Sequence, residues 1–196
     1  MDAAKAIPTA DGRPLRADAR RNRRRILAAA RQCFAEEGLD AQMDDVARRA
    51  DVGVGTLYRH FPDKRALIDA LTVERYAILA DMAAQELGRD DAWEAFERFV
   101  RRVAELAAGD LAHCQLMGTR PHRESPELDE LEARLGELVE RCHREGAIRD
   151  DFTVADFPLL FCALGRVIER GREDGSETWR RYLEFVLDGI RARPPR

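Results

Sequence analysis

The segment from Gln42 to Arg65, which reads QMDDVARRADVGVGTLYRHFPDKR, decides the fold of this chain. Apolar residues recur at helical spacing on both sides of a short turn at residues 51–53, so two short helices are expected to pack across each other. The second helix, Val54–Phe61, carries several hydrogen-bond donors on its outward side. A donor-rich surface helix that is braced by a buried partner helix is the arrangement that reads DNA in the major groove.

The spacing of apolar residues within this segment matches the packing of a helix-turn-helix, which we assign to residues 42–61. The small residue Ala47 is expected where the two helices cross, and Pro62 ends the second helix because it cannot continue one. Asp63 has the acceptor that caps a following helix. The buried wedge between the two helices is predicted to consist of Val46, Ala50, Val52 and Leu57.

The whole chain is predicted to be all-α, because no stretch shows the sustained period-two alternation of a strand. We expect a disordered tail over residues 1–17, a three-helix DNA-binding domain over residues 18–65 and a helical C-terminal domain over residues 66–196. The first helix should run from about Ala19 to Glu37 and end at Gly38. A helix over about residues 63–87 would be about 35 Å long, enough to link the two domains.

Two helices near the C-terminus suggest a homodimer interface. The helix at about residues 156–169 is apolar on nearly every side, so we expect it to be buried all round. The final helix, after Ser176, has one apolar face, and the pair is typical of a two-fold contact. An ordinary central core helix remains the alternative. The candidate interface residues are Leu160, Leu164, Val167, Trp179, Leu183 and Val186.

The charge distribution favours nucleic acid at one end of the chain. The net charge is −4, but residues 1–65 hold 14 Lys and Arg against 10 Asp and Glu, while the remaining residues hold 19 against 27. A basic front on an acidic body indicates that one surface faces DNA and another does not. A basic arm that follows the DNA backbone or the minor groove is predicted from Arg20, Arg21, Arg23, Arg24 and Arg25.

The sequence carries no sign of a membrane or secreted protein. It has no apolar run of eighteen residues, and its first residues lack the apolar core of a secretory signal. A cytoplasmic location is therefore expected. The cysteines, at positions 33, 114, 142 and 162, form no CxxC pair and are expected to be free thiols.

The residues DVA at positions 45–47, followed by VGVGTLYRHFPDK at positions 52–64, resemble the tetracycline-repressor (TetR) family of transcription regulators. The close match covers about residues 23–71. The helical remainder is similar in length and apolar pattern to that family's ligand-binding and dimerisation domain. The resemblance implies a homodimer on double-stranded DNA with a pseudo-palindromic operator. It also implies a repressor that an unknown small-molecule effector releases, with no enzyme activity, cofactor or metal.

The resemblance also implies roles for residues of the motif. Tyr58 and His60 would contact phosphates, and Lys64 would add a cation at the start of the next helix. Thr56 and Arg59 are candidates for base edges or adjacent phosphates, because arginine pairs bidentately with guanine. The complete predicted set of DNA contacts is Gln42, Val54, Gly55, Thr56, Tyr58, Arg59, His60 and Lys64.

Two residues of the motif depart from the family pattern. Gln42 stands where Thr or Ser usually caps the second helix, so this cap should be weaker. Asp51 replaces the usual turn glycine, and aspartate tolerates a left-handed backbone better than most residues. Its negative charge near DNA would be a mild cost.

Residues outside the helix-turn-helix suggest other sites and functions. A ligand pocket is predicted from Trp93, Phe96, Phe99, His113, Met117 and Phe161, although aromatic residues at helical spacing are core residues by default. The dipeptides His113-Cys114 and Cys142-His143 leave a metal- or redox-responsive regulator as an alternative, but they offer an incomplete zinc site. A helical enzyme is the remote alternative, since no convergent catalytic residues are visible.

Overall fold

The computed structural model describes residues 13–110, 114–115 and 125–192 of the chain, and most of them are helical. The prediction of an all-α fold is confirmed, since the described residues contain no strand beyond one isolated bridge between Ile148 and Arg191. Not one helix in these ranges combines the length and apolar character needed to cross a membrane. The helices are α1 (Arg13–Glu37), α2 (Met43–Arg49), α3 (Val54–His60), α4 (Lys64–Leu87), α5 (Ala92–Gly109), α6 (Pro126–Arg144), α7 (Asp156–Asp174) and α8 (Thr178–Ile190).

Two hydrophobic clusters divide the molecule. The first, which we call the N-terminal bundle, joins α1, α2, α3 and the first two turns of α4 around Phe34 and Phe61. The second, the C-terminal body, joins the rest of α4 to α5–α8. Helix α4 belongs to both, because Leu67 and Leu71 pack in the bundle while Tyr76 and the residues after it pack in the body.

Capping residues define where several helices begin and end. The carboxylates of Asp63 and Asp91 accept backbone N–H bonds at the starts of α4 and α5, and Ser125 does the same for α6. Glycine is needed at position 38, because the chain leaves α1 there with φ +68°, a left-handed conformation. The cap at Asp63 and the end of α1 at Gly38 were both expected from the sequence.

Helix α1 is longer than predicted. It begins at Arg13 and not near Ala19, so residues 13–17 of the expected disordered tail are helical. The physical reason is that arginine and alanine are good helix formers, and an uninterrupted helix can extend past its packed face into solvent. Residues 1–12 lie outside the described part of the chain.

Helix α7 is not buried all round within the chain. Its residues Phe157, Phe161, Leu164 and Ile168 pack in the body, but Leu159 is 70% exposed. Cys162 and Ala163 are also exposed. The apolar sequence therefore covers two faces with different roles, one toward the body and one toward solvent.

Candidate nucleic-acid interface

The turn between α2 and α3 has the geometry that the sequence predicts. Asp51 has a positive φ of 50°, and the N–H of Val52 donates to the carbonyl of Ala47 over 3.1 Å, which closes the end of α2. Of the predicted wedge, three residues are buried and Val52 is partly buried against them. This packing holds α3 across α2 and turns one side of α3 to solvent. The three buried residues are Val46, Ala50 and Leu57.

The carboxylate of Asp51 pairs with an arginine of the same bundle. A guanidinium nitrogen of Arg25, on α1, donates to the Asp51 carboxylate over 2.8 Å and to its carbonyl over 3.0 Å. This contact ties the turn to α1 across 26 positions of sequence. The expected electrostatic cost of Asp51 near DNA is thus offset by a neighbouring arginine, and Arg25 is engaged rather than unpaired.

The outward side of α3 is open. Val54 and Tyr58 are 44% and 43% exposed, and no atom lies within 4 Å of where a Cβ on Gly55 would stand. Arg59 lies back along its own helix, where Nε donates to the Gly55 carbonyl over 3.1 Å and Nη2 donates to the Thr56 hydroxyl over 3.2 Å. Thr56 and Arg59, the predicted base contacts, therefore form one unit on this surface.

The flanks of α3 carry the other predicted contacts. Gln42 is the N-cap of α2 but makes no side-chain cap, because its amide donates to the Asp40 carbonyl over 2.7 Å; the weaker cap expected from the sequence is confirmed. Lys64 opens α4 with its ammonium 6.0 Å from the Phe34 ring centre. His60 is half-buried at the end of α3.

The predicted basic arm is part of helix α1. Arg20 and Arg24 are exposed and have no carboxylate partner among the described residues. Arg21 pairs with Asp18, and Arg23 stacks on the Phe61 ring at 4.5 Å. Arginines on a rigid helix next to α3 can follow one phosphate backbone with little loss of conformational entropy.

The aromatic residues of the predicted ligand pocket pack on one another instead. Phe96 and Phe99 are fully buried, and the rings of the cluster lie 5.4–6.4 Å apart between Phe96, Phe99, Phe152, Phe157 and Phe161. Such offset and edge-to-face packing is typical of a core. Phe96, Phe99 and Phe161 thus pack in the core of the body, and their role in a ligand pocket stays a prediction. Trp93 is half-buried, and His113 and Met117 lie outside the described residues.

A cleft of about 370 Å³ lies instead where the bundle meets the body. Gln115 bridges the two parts: its Oε1 accepts the Leu39 N–H over 2.7 Å and its Nε2 donates to Glu169 of α7 over 3.2 Å. A Cβ at Gly38 would stand 2.6 Å from Gln115, so only glycine permits this approach. The cleft is lined by Leu39, Asp40, Cys114, Gln115, Cys162, Gly165, Arg166 and Glu169.

A second, shallower cleft of about 530 Å³ runs between α4 and α5. Its lining is mixed, with both charged and apolar side chains. The predicted pocket residues line neither this cleft nor the one at Gln115. The lining residues are Ile78, Asp81, Met82, Gln85, Arg102, Glu105 and Leu106.

Half of the predicted dimer contacts are core residues of the chain itself. Leu164, Trp179 and Leu183 are at most 5% exposed, so they cannot reach a second subunit. Leu160, Val167 and Val186 are half-buried. The large apolar side chains that α7 and α8 do present to solvent are Leu159 and Phe185, which the sequence reading missed.

A signal for Leu159 was present in the sequence. On α7 the positions that follow Phe157 at helical spacing are all apolar, whereas the positions that follow Leu159 at the same spacing soon reach Arg166. Separating these two faces would have placed Leu159 outward. No comparable signal exists for Gln115, a polar residue in a short apolar segment.

Two of the cysteines are buried thiols that donate hydrogen bonds to backbone carbonyls. Burial raises the pKa of Cys142 to about 12 and that of Cys114 to about 11. Their thiols donate to the carbonyls of Ala92 and Gly165. His143 contacts the Arg149 carbonyl over 3.2 Å, and within the described ranges no group of three or more metal-ligating side chains occurs. These observations disfavour the metal- or redox-responsive alternative.

Comparisons with known proteins agree with this geometry. A family model for bacterial regulatory proteins of the tetR family matches residues 26–71, and one for the C-terminal domain of SbtR-like transcriptional regulators matches residues 91–192. A TetR transcription regulatory protein from Mycobacterium vanbaalenii has a similar structure, with a TM-score of 0.57 and 36% identity over 91% of this chain and 100% of that one. The TetR regulator SCO0520 from Streptomyces coelicolor has a TM-score of 0.59 and 31% identity over 88% and 99%.

The similarity to curated relatives is more local. TtgW of Pseudomonas putida, an uncharacterized HTH-type transcriptional regulator, is 36% identical over 80 residues, which are 40% of this chain. The match spans 60% of the length of TtgW, less than two thirds of that protein.

Proposed function

Since the chain belongs to the TetR family of transcription regulators, which bind DNA and small-molecule ligands and are not enzymes, we propose that it is a homodimeric repressor of a pseudo-palindromic operator. A small-molecule effector would release it from DNA. The domain division at about residue 65 belongs to the same proposal. The observation that carries it is the open face of α3, where donors stand in solvent on a helix that buried residues hold in place.

The DNA step assigns different tasks to neighbouring side chains. Tyr58, His60 and Lys64 donate to phosphates, with Gln42 beside them, and this sets the position of α3 without reading sequence. Arg59 leaves Thr56 and Gly55 to reach a base edge, which costs two weak hydrogen bonds and gains a bidentate contact. Val54 supplies an apolar contact of the kind that a thymine methyl accepts.

The dimer step is supported by the exposed apolar side chains of the last two helices. Leu159 is 70% and Phe185 62% exposed, and α7 packs against α8. Leu160, Val167, Tyr182 and Val186 are half-buried on the same two helices. Covering such side chains with a second copy removes apolar surface from water, and a two-fold axis then presents two α3 helices to two half-sites.

The effector step needs a path from the body to α3, and two connections supply it. Helix α4 runs continuously from one hydrophobic cluster into the other. Gln115 links Glu169 on α7 to the backbone of Leu39 in the bundle. A ligand that favours one arrangement of the body would move the bundle through both, which is coupling between two sites.

Selection of bound DNA from genomic fragments tests the DNA step. We expect enriched fragments that share an inverted repeat whose half-sites lie about one helical turn apart or a multiple of it. Tyr58→Phe should then weaken binding to all operator variants about equally, because it removes a phosphate contact. Enrichment of no common site, or unchanged binding after Tyr58→Phe and Arg59→Ala together, would rule out α3 as the recognition helix.

Light scattering of charged variants tests the dimer step. Leu159→Glu and Phe185→Glu should each shift the protein toward the monomer and weaken operator binding at the same time. Ile78→Glu is the matched control, since Ile78 is 41% exposed on α4, away from these helices. Dimers that persist in both α7 and α8 variants would contradict the proposed interface.

Hydrogen exchange tests the connection through Gln115. In the Gln115→Ala variant the Leu39 amide loses its acceptor and should exchange faster, while amides within α6 keep their protection. Equal exchange of Leu39 in the two proteins would show that this bond does not hold the bundle to the body.

A further inference from the structure

A buried arginine lies at the border between the two hydrophobic clusters. Arg75 is 6% exposed, on the buried side of α4 with Thr72 and Tyr76. Leu71, one turn earlier, packs in the N-terminal bundle, and Tyr76 packs in the C-terminal body. Arg75 therefore occupies the point of α4 where the two parts of the molecule meet.

The guanidinium of Arg75 lacks the partners that a buried charge requires. Its Nε and Nη1 are buried and donate to no acceptor among the described residues. Its contacts are with Tyr76, whose ring centre lies 5.3 Å away and whose side chain is a hydrogen-bond partner. Burial lowers the pKa of Arg75, but an arginine remains protonated in a protein. A buried cation with unfilled donors is costly unless an anion binds it.

Among the described residues, no neighbouring side chain supplies that anion. The Glu74 carboxylate is 3.6 Å from Arg31 of α1, and no ion pair joins it to Arg75. The Thr72 hydroxyl donates to the Ile68 carbonyl over 3.0 Å, within its own helix. Glu86, a buried charge of the body, is by contrast surrounded by three arginines at hydrogen-bond or ion-pair distance.

We propose that the effector is an organic anion and that Arg75 binds its carboxylate or other oxyanion. This rests on the proposed function, since it assigns a chemical class to the ligand that releases DNA. A guanidinium with unfilled donors matches an oxyanion in charge and in hydrogen-bond geometry. Because Arg75 lies between the two clusters, pairing it with an anion changes the packing on both sides of the border, and α4 carries that change to α3.

Two consequences separate this site from a structural arginine. Replacing an unpaired buried cation by a hydrophobic residue of similar length removes a desolvation cost, so Arg75→Met should raise the melting temperature of the ligand-free protein by a few degrees, about 3 °C. A structural arginine with an internal partner would give the opposite sign. The same variant should also lose any response to anions.

Thermal melting with matched probes tests the proposal. The probes are benzoate, hexanoate and inorganic phosphate, each at millimolar concentration, with benzamide and hexanamide as neutral counterparts. We expect at least one anion, and neither amide, to raise the melting temperature of the wild type and to weaken its binding to the selected operator. Arg75→Lys should retain a reduced response, and Arg75→Met none. Arg134→Met, which changes an exposed arginine of α6, should respond as the wild type does.

The possible failures are distinguishable. A lower melting temperature for Arg75→Met, a wild type that responds to no anion of the set, or an equal response to acids and amides would each overturn the anion assignment. The wild type would still bind its operator in those cases, so the proposed function would stand. A wild type that binds no DNA fragment would contradict the proposed function itself.

Discussion

Arginines are used differently in the N-terminal bundle and in the C-terminal body. Several exposed arginines of the body pair with a glutamate one turn away on the same helix, as Arg166 does with Glu169 and Arg170 with Glu173. In the N-terminal bundle, Arg20, Arg24 and Arg59 are exposed and have no carboxylate partner in the described part of the chain. Other arginines of the bundle pair with carboxylates, either on the same helix, as Arg48 does with Asp45, or on another segment, as Arg25 does with Asp51.

Paired and unpaired exposed arginines are expected to have different roles, the first in solubility and the second in binding. An exposed pair one turn apart stabilises a helix by only about 0.3–0.5 kcal/mol, and it leaves the surface nearly neutral. An arginine without a carboxylate partner adds no ion-pair stabilisation to the folded protein, but it can release a counterion from DNA when it contacts a phosphate. The net charge differs between the two parts in the same sense, since residues 1–65 are basic overall and the remaining residues are acidic.

The largest effect that this comparison predicts is on folding stability, at a buried carboxylate of the body that has arginines around it. Glu86 is 3% exposed and accepts from Arg89, Arg98 and Arg102. Glu86→Gln should lower the free energy of unfolding by about 3 kcal/mol, because it leaves half-buried guanidiniums without a counter-charge. Urea titration at neutral pH measures this, with Glu130→Gln on the exposed side of α6 as the control, which should change little.

The stability difference between the wild type and Glu86→Gln should depend on pH. Burial by itself raises the pKa of Glu86, but hydrogen bonds from Arg89 and Arg102 outweigh it and hold the pKa below its usual value of 4.5. The stability that Glu86 contributes is therefore present above pH 4.5 and is lost as the pH falls through the lowered pKa. Wild type and Glu86→Gln should converge in acid. A constant difference down to pH 2 would contradict this assignment.

The next effect concerns DNA specificity. Arg59→Ala should lose about 1–3 kcal/mol of binding free energy at one base pair of the operator and relax the preference there. Competition among operators that differ at single positions measures the change. Arg170→Ala, an arginine of α7 paired with Glu173, should leave the profile unchanged. A uniform loss across all operators would instead make Arg59 a phosphate contact.

A smaller effect concerns the salt dependence of binding. Arg24→Gln should reduce the slope of log affinity against log salt by about one, which is the release of about one counterion. Arg134→Gln removes the same charge from the paired surface of the body and should leave the slope as it is. If the two variants have equal slopes, the unpaired arginines of α1 do not touch the DNA backbone.

The smallest effect is on the turn itself. Asp51→Ala and Asp51→Gly both remove the carboxylate that binds Arg25, but only glycine adopts the positive φ of this position without strain. The alanine variant should therefore be less stable than the glycine variant by about 1 kcal/mol. Thermal unfolding compares the two. Equal stabilities would mean that the turn leaves the left-handed conformation once the hydrogen bond from Arg25 to the carboxylate is lost.

The helix-turn-helix was predictable almost residue by residue. Its wedge, its turn at Asp51, the stop at Pro62 and the cap at Asp63 follow from local spacing and hydrogen-bonding chemistry, and the structure has them where the sequence indicates. The predicted roles of Tyr58, Arg59 and the other DNA contacts remain predictions, although those of α3 lie on its open or partly exposed side. The body was predictable in its helices but not in its sites.

The predicted sites of the body illustrate one limit of sequence patterns. Phe96, Phe99 and Phe161 were interpreted as a pocket, and Leu164, Trp179 and Leu183 as an interface, because an apolar side chain looks the same in a sequence whichever neighbour covers it. In the structure these residues cover one another. Which apolar face meets its own chain is decided by how the helices are arranged, and periodicity along one helix does not contain that information.

The sequence by itself determined the helices, their caps, the register of the helix-turn-helix and the basic face, since each depends on residues within a few turns of one another. Only the tertiary structure decided that Leu159 and Phe185 face solvent, that Gln115 reaches Leu39 across 76 positions, and that Arg75 is buried without a counter-charge. These features depend on contacts between distant segments. Local chemistry specifies the elements of this protein, whereas the environment of each side chain exists only once the elements have packed.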